Sequence, residues 1–405
     1  MKDEVITRGV QRAAQGLQEV GNWVLRAPVV VIAGLLIVVS LFRNGIVVWN
    51  WFELSPFLLT NWDTPASAFQ SNVLLNALAT SWQALGLNPT SFAWQMFQVA
   101  LTLATFVGLA VLVIRRTSLQ GSYLPLALVL SSGVAAVLWR EIGRYDTLYV
   151  LGMATAVLAT RQWLVWLGVL VAAASSPEQA LTAGFLLLGL GLIREFAAWR
   201  VVAIRIISGS VLVLLAVQGW FFVAGSPEKT RIGTLVEHFL GIEIEAASAY
   251  DTSQSFTQFT IEKAMISLSA GPALVWSYLG ATSLLLILFL LVQRSWARSL
   301  YLVGVVIAAP IVIGFTFGED RTRDIALICV PMIIALAMTG SQYVTRMLTS
   351  VSGDTLIWLA WLAIVVTVVP ATYFYLDAEE PWRWTKELLI SINNGVPMVN
   401  DGSLR

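Results

Sequence analysis

Apolar stretches of about 20 residues recur from near residue 28 to near residue 376, and they restrict this chain to helices that cross a membrane. Hydrocarbon offers no water to a backbone amide, so each stretch has to close its own hydrogen bonds as an α-helix. The composition agrees: 58% of the 405 residues are hydrophobic, 12% are charged, 17 are Trp, and the mean hydropathy is +0.78. This reading makes the chain an all-α, polytopic transmembrane bundle.

Hydropathy and helix breakers place the spans near residues 28–49, 93–114, 122–139, 146–160, 163–174, 179–193, 201–224, 272–292, 299–317, 325–340 and 356–376, about eleven in all. Residues 1–27 set Val5, Val10, Ala13, Leu17, Val20 and Val24 at helical spacing among Arg and Gln, which predicts an interfacial helix on the cytoplasmic face. No cleavage pattern follows the first apolar run, so no removable leader is expected. Two long outer loops, 52–92 and 225–271, are expected to carry amphipathic helices, the first at Asn72 to Leu85. Residues 377–405 then form an extracytoplasmic tail with Trp382, Trp384 and Lys386 suited to the interface.

An N-terminus inside fits the charges. The inner segments collect 13 of the 24 basic residues and five of the 24 acidic ones, and the short linkers, among them those at Arg115-Arg116, Arg161 and Arg346, are almost purely basic. The chain is thereby expected in the inner (plasma) membrane with its C-terminus extracytoplasmic. Nearly every acid close to a span end then falls on the outer face.

Several function classes are excluded or left without support. One cysteine, Cys329, and one histidine, His238, rule out a disulfide framework, a thiolate metal site and any mechanism needing two histidines. Zero net charge points to no nucleic-acid partner, and no Walker, Rossmann or zinc pattern occurs.

The candidate chemistry sits at the outer span ends. The runs 146–160 and 163–174 reach only roughly 22 and 18 Å, against a hydrocarbon core of about 30 Å, so Arg144, Asp146 and Glu178 should lie in a polar recess. Arg140, Arg144 and Asp146 read either as an acid beside phosphate-binding guanidiniums or as a helix cap with snorkelling arginines. Glu319 to Asp324 packs five charges into six residues; Asp320, Arg321, Arg323 and Asp324 could hold a phosphate, directly or through a divalent cation, or simply neutralise one another. Glu178, behind Ser175-Ser176-Pro177, is a helix-start acid or a recess acid. Glu53 and Asp63, with Trp49, Trp51 and Trp62 nearby, could face a sugar or could belong to an aromatic belt.

In this layout the chain resembles the GT-C superfamily of integral-membrane glycosyltransferases: many spans, a long first outer loop with an amphipathic helix, and acids at outer span ends. The resemblance covers roughly residues 28–376 as topology, and the chain departs from the better-marked families in lacking a paired acidic motif just after the first span. It implies a polyprenyl-phosphate-linked sugar as donor, membrane lipid as surroundings, and transfer on the extracytoplasmic face. Glu53 or Asp63 would be the base, with Asp146 a further candidate catalytic acid. Arg144, Arg321 and Arg323 would hold the donor phosphate, with Arg140 beside them, and Asp146, Glu178, Asp320 and Asp324 would orient hydroxyls or arginines. A divalent cation is one candidate cofactor. Two other readings stand beside this one: a polysaccharide polymerase or ligase acting on polyprenyl-diphosphate-linked chains, and a secondary transporter. Transporters tend to show internal repeats and broken helices near the midplane; no repeat is evident here.

Overall fold

The computed structural model describes residues 15–16, 18–19, 29–48, 73–86, 91–117, 122–143, 145–223, 272–293, 295–314, 321–349, 361–362, 365–366 and 380–395. The described residues contain no strand; Val48 and Ile142 form one isolated parallel bridge. The helices in order are α1 (Val29–Asn44), α2 (Val73–Ala84), α3 (Phe92–Arg116), α4 (Tyr123–Leu130), α5 (Gly133–Arg140), α6 (Asp146–Leu158), α7 (Gln162–Ser175), α8 (Pro177–Gly191), and α9 (Arg200–Val223), which follows a 3-10 segment at Arg194–Trp199. After the second long loop come α10 (Pro272–Leu279), α11 (Thr282–Val292), α12 (Trp296–Val303), a π-helical turn at Gly304–Ala308, α13 (Ala309–Gly314), α14 (Arg321–Thr349) and α15 (Glu380–Asn394). The amphipathic segment expected in the first loop is α2. The loop 225–271 with His238, and most of the expected last span, lie outside the described residues.

This is an all-helical membrane protein. Among the described residues four helical stretches are long and apolar enough to cross: Phe92–Arg116, Arg194–Val217, Trp296–Ile313 and Arg323–Met347. A fifth arises if α4 and α5, bent by 59° at their junction, count as one span. Other apolar helices, α1, α6, α7 and α11 among them, fall short of a full crossing. Among the described residues length and composition thus support four or five crossings; the eleven expected from hydropathy also count shorter apolar helices and a last span that lies mostly outside those residues.

One helix organises the rest. Within the Arg323–Met347 stretch of α14, 94% of an 18-residue apolar window is buried, whereas the corresponding windows of the other three long stretches are 17–39% buried and turn apolar faces outward. Against α14 pack α4, α5, α6, α8, α10, α11 and α13. Leu103, Val107 and Val111 on α3, Trp163, Leu167 and Leu170 on α7, and Leu284, Ile287 and Leu291 on α11 remain exposed. Such faces at helical spacing are what lipid covers.

Small residues set the closest approaches. A Cβ at Gly152 of α6 would collide with the Ala172 amide and come 2.8 Å from the Gly168 carbonyl oxygen, and one at Gly168 of α7 would come 2.7 Å from the Gly152 oxygen. These helices touch backbone to backbone, which only glycine allows. Gly280, at φ +53°, breaks α10 from α11 and sits directly on the Ser131 carbonyl at the break between α4 and α5. Hydroxyls close both breaks: Ser131 Oγ donates to the Leu128 carbonyl (2.8 Å) and accepts from the Ala281 amide (3.3 Å), and Ser132 Oγ donates to the Val129 carbonyl (2.6 Å). Irregular backbone at this depth persists because its polar groups are satisfied within the protein.

Candidate functional site

Asp146 is the first residue of α6 and fully buried. Its two carboxylate oxygens accept from a single guanidinium: Arg323 Nε donates to Oδ2 and Nη2 to Oδ1, each at 2.7 Å. Asp146 thus ties the start of α6 to the first turn of α14. Arg323 is itself buried, its guanidinium carbon 5.1 Å from the Tyr145 ring centroid and its Nη1 3.7 Å from Asp324 Oδ1. A planar fork of donors matches a carboxylate in this way, and a lysine ammonium does not. Burial holds the Tyr145 phenol above its ordinary range, against the pull of the Arg323 charge, so the ring stays neutral.

A third helix joins through Gln179, whose Nε2 donates to Asp324 Oδ1 at 2.9 Å. That bond also sets the orientation of the amide, because its oxygen would repel the carboxylate. The Gln179 Oε1 and the Tyr149 hydroxyl, one turn along α6 from Asp146, are buried without a protein partner among the described residues. Asp146, Glu178 and Asp324 each stand in the first turn of a helix, so three positive dipole ends point at one region with an acid on each. Glu178 is half-buried beside Gln179.

The neighbouring segment is anchored separately. Arg140 is buried, and its Nε donates to the Asn44 carbonyl at the end of α1 (2.8 Å), where Arg43 is its charge neighbour. The Val47 amide donates to the Trp139 carbonyl (2.9 Å), and the Trp139 indole donates to Ser40 Oγ (3.2 Å) while stacking on Phe106 with centroids 4.4 Å apart. The six-residue step from Arg140 to Asp146 therefore leaves a fixed α1–α5 junction and enters the α6–α14 clamp.

The depth of this region follows from α3. Thr102 and Thr147 share a hydrogen bond of 3.2 Å between their hydroxyls, and Thr102 lies ten residues, about 15 Å of rise, inside the α3 start at Phe92. Higher up, Gln95 Nε2 donates to Ser391 Oγ of α15 at 3.1 Å, and the Ile46 amide donates to Thr385 Oγ1 at 2.9 Å. Between these contacts Leu388 packs with Val47, Val48 and Ile142. Asp146 is fully buried at this level, and α15 lies against the ends of α1 and α3.

Of the residues singled out from sequence, Asp146, Arg323 and Asp324 meet, with Glu178 adjoining, although they come from three separate stretches. Arg140 is nearby in chain but bound to α1. Arg321 opens α14; Glu53, Asp63, Arg144 and Asp320 lie outside the described residues. Among the described residues no three His, Cys, Asp or Glu side chains gather as a metal site would require. Sequence reasoning gave no role to Gln179 and Tyr145, which lie inside its candidate stretches, and missed Asn44 and the α3 residues Gln95, Gln98 and Thr102. The last three had a signal, because polar residues at i, i+3 and i+7 in an otherwise apolar run share one face.

Comparisons with protein-family models, with curated proteins and with solved structures return no match for this chain.

Proposed function

We propose that this chain is a membrane glycosyltransferase of GT-C-like organisation, with about eleven membrane segments, that moves a sugar from a polyprenyl-phosphate donor to an acceptor at the extracytoplasmic face. The observation that carries this reading is the buried network Asp146–Arg323–Asp324–Gln179 at the ends of α6, α8 and α14. Ionisable groups buried at helix ends in a membrane protein are costly to keep, which makes this network the candidate for receiving a substrate with a lipid tail and a charged head.

In this mechanism Arg323, held through Nε and Nη2 by Asp146, is a fixed cation at the centre of the site. Arg144 and Arg321 add the charge that receives the donor phosphate and stabilises it as it leaves, while Arg140 anchors the segment before them to the end of α1. Glu53 or Asp63 of the first outer loop takes the acceptor hydroxyl's proton. Glu178 and Asp324 orient hydroxyls or arginines. The end of the bundle opposite the network carries Arg115, Arg116, Arg161, Arg194, Arg200 and Arg346, which supports a cytoplasmic assignment for that end and an extracytoplasmic one for the site. The paired helix breaks at Ser131 and Gly280 would be the place to look for a transporter's ion site, but serine hydroxyls already occupy their carbonyls.

The test is Arg323→Lys in nanodiscs supplied with extracted polyprenyl-linked lipids. Wild type is expected to retain a phospholipid-linked sugar by mass spectrometry and to transfer it, while Arg323→Lys stays folded and inactive. Undiminished transfer by the lysine variant, or retention of ordinary phospholipids alone by wild type, overturns the proposal.

A further inference from the structure

The arginines at the end of the bundle away from the buried network form a surface of their own. Arg194 in the 3-10 segment, Arg200 at the start of α9 and Arg298 in the first turn of α12 are all exposed. A contact between α8 and α12 brings these elements to one corner. The Tyr301 hydroxyl donates to the Gly189 carbonyl at 2.9 Å, and the absence of a side chain at Gly189 lets Val305 stand 3.4 Å from where its Cβ would be. Arg298 precedes Tyr301 by three residues, within about 60° of arc on the helix. Arg200 reaches back over the end of α8, its Nε donating to the Gly191 carbonyl and its Nη2 to the Leu192 carbonyl, so its guanidinium is held in place. Arg194 is two residues beyond Leu192. Among the described residues no carboxylate pairs with any of the three, and Glu195, the adjacent acid, is itself exposed.

The same corner continues into the bundle as apolar surface. Phe185 and Leu192 on α8, Leu300 on α12 and Val312 on α13 are 52–65% exposed. Phe185 and Leu192, with the half-buried Leu188, share one face of α8. Fixed guanidinium donors suit a phosphodiester, and the apolar faces behind them suit acyl chains; a soluble phosphate would leave those faces uncovered. We propose that the corner formed by the end of α8, the 3-10 segment and α12 binds an anionic phospholipid. Arg194, Arg200 and Arg298 hold its phosphodiester, and its chains lie along α8, α12 and α13. This inference stands independently of the transferase reading.

The test is native mass spectrometry of the full chain in detergent with an equimolar mixture of phosphatidylglycerol and phosphatidylcholine of matched chains. Wild type should retain phosphatidylglycerol over phosphatidylcholine by at least about tenfold. Arg194→Gln/Arg298→Gln should bring that preference to within about twofold of none, at about fivefold per arginine near an anionic headgroup. Its thermal unfolding without lipid should match wild type, because both side chains are exposed. Arg115→Gln/Arg116→Gln removes the same charge from the same end of the bundle, on the single helix α3, and should keep the preference. Raising the salt from about 0.05 to about 0.5 M should lower the wild-type preference at least about threefold. The proposal is overturned if wild type retains the two lipids equally, if its preference is unmoved by salt, or if the two glutamine pairs lose it alike, which would make it a property of the whole rim. It is overturned too if Arg194→Gln/Arg298→Gln melts lower or unfolds, since the arginines would then be structural, or if glycerol phosphate displaces phosphatidylglycerol at comparable concentration, since the chains would then contribute nothing.

Discussion

Replacing Arg323 by methionine should destabilise the protein more than replacing Asp146 by leucine, and the double variant should recover most of the loss. Asp146 is fully buried and makes both of its strong contacts to Arg323, at 2.7 Å. Arg323→Met strands that carboxylate, and Asp324 loses its nearest described cation; leaving one buried charge uncompensated costs about 3–5 kcal/mol. Asp146→Leu strands Arg323 less completely. Asp324 remains 3.7 Å from Nη1, and at an effective dielectric of about 20 such a pair retains an attraction of a few kcal/mol. The expected cost is about 2–3 kcal/mol, from the lost charge-assisted hydrogen bonds. With both partners apolar and similar in volume, the residual cost should fall to about 1–2 kcal/mol, most of it from Asp324. Unfolding in mixed micelles, with the four proteins as a double-mutant cycle, measures each value. The reasoning is refuted if the two single losses simply add in the double variant, or if Asp146→Leu costs more than Arg323→Met.

Two further perturbations test the packing around the site. Gly152→Leu should force α6 and α7 apart and cost about 3 kcal/mol or more, seen as loss of a monodisperse folded peak after detergent extraction, because the atoms in its way are backbone. Thr385→Val should cost about 1 kcal/mol in unfolding free energy by removing the acceptor of the Ile46 amide, and a variant as stable as wild type would show that α15 is not docked through this bond.

The long apolar runs were legible because hydrocarbon imposes a requirement that every residue of a run must meet, so the signal accumulates along the sequence. Asp146, Glu178, Arg323 and Asp324 were legible as costly residues at helix mouths for the same reason. Their pairing was not. Asp146 and Arg323 are 177 positions apart, and nothing local to either distinguishes a mutual clamp from a cap or a phosphate ligand. The short helices α6 and α7 were read correctly as short, and the expected count of eleven includes such helices, which length alone does not register as crossings among the described residues. Gln98 was passed over because a hydropathy window averages one amide into its apolar neighbours.

The sequence by itself determined the helical membrane class and the residues too costly to be there without reason, since both depend on the free energy of transferring single residues into hydrocarbon. The tertiary structure alone decided that α14 is the buried axis, that α6 and α7 meet at Gly152 and Gly168, and that Asp146, Arg323, Asp324 and Gln179 form one network. Those depend on which helix faces meet, and that is settled by packing among segments far apart in the chain.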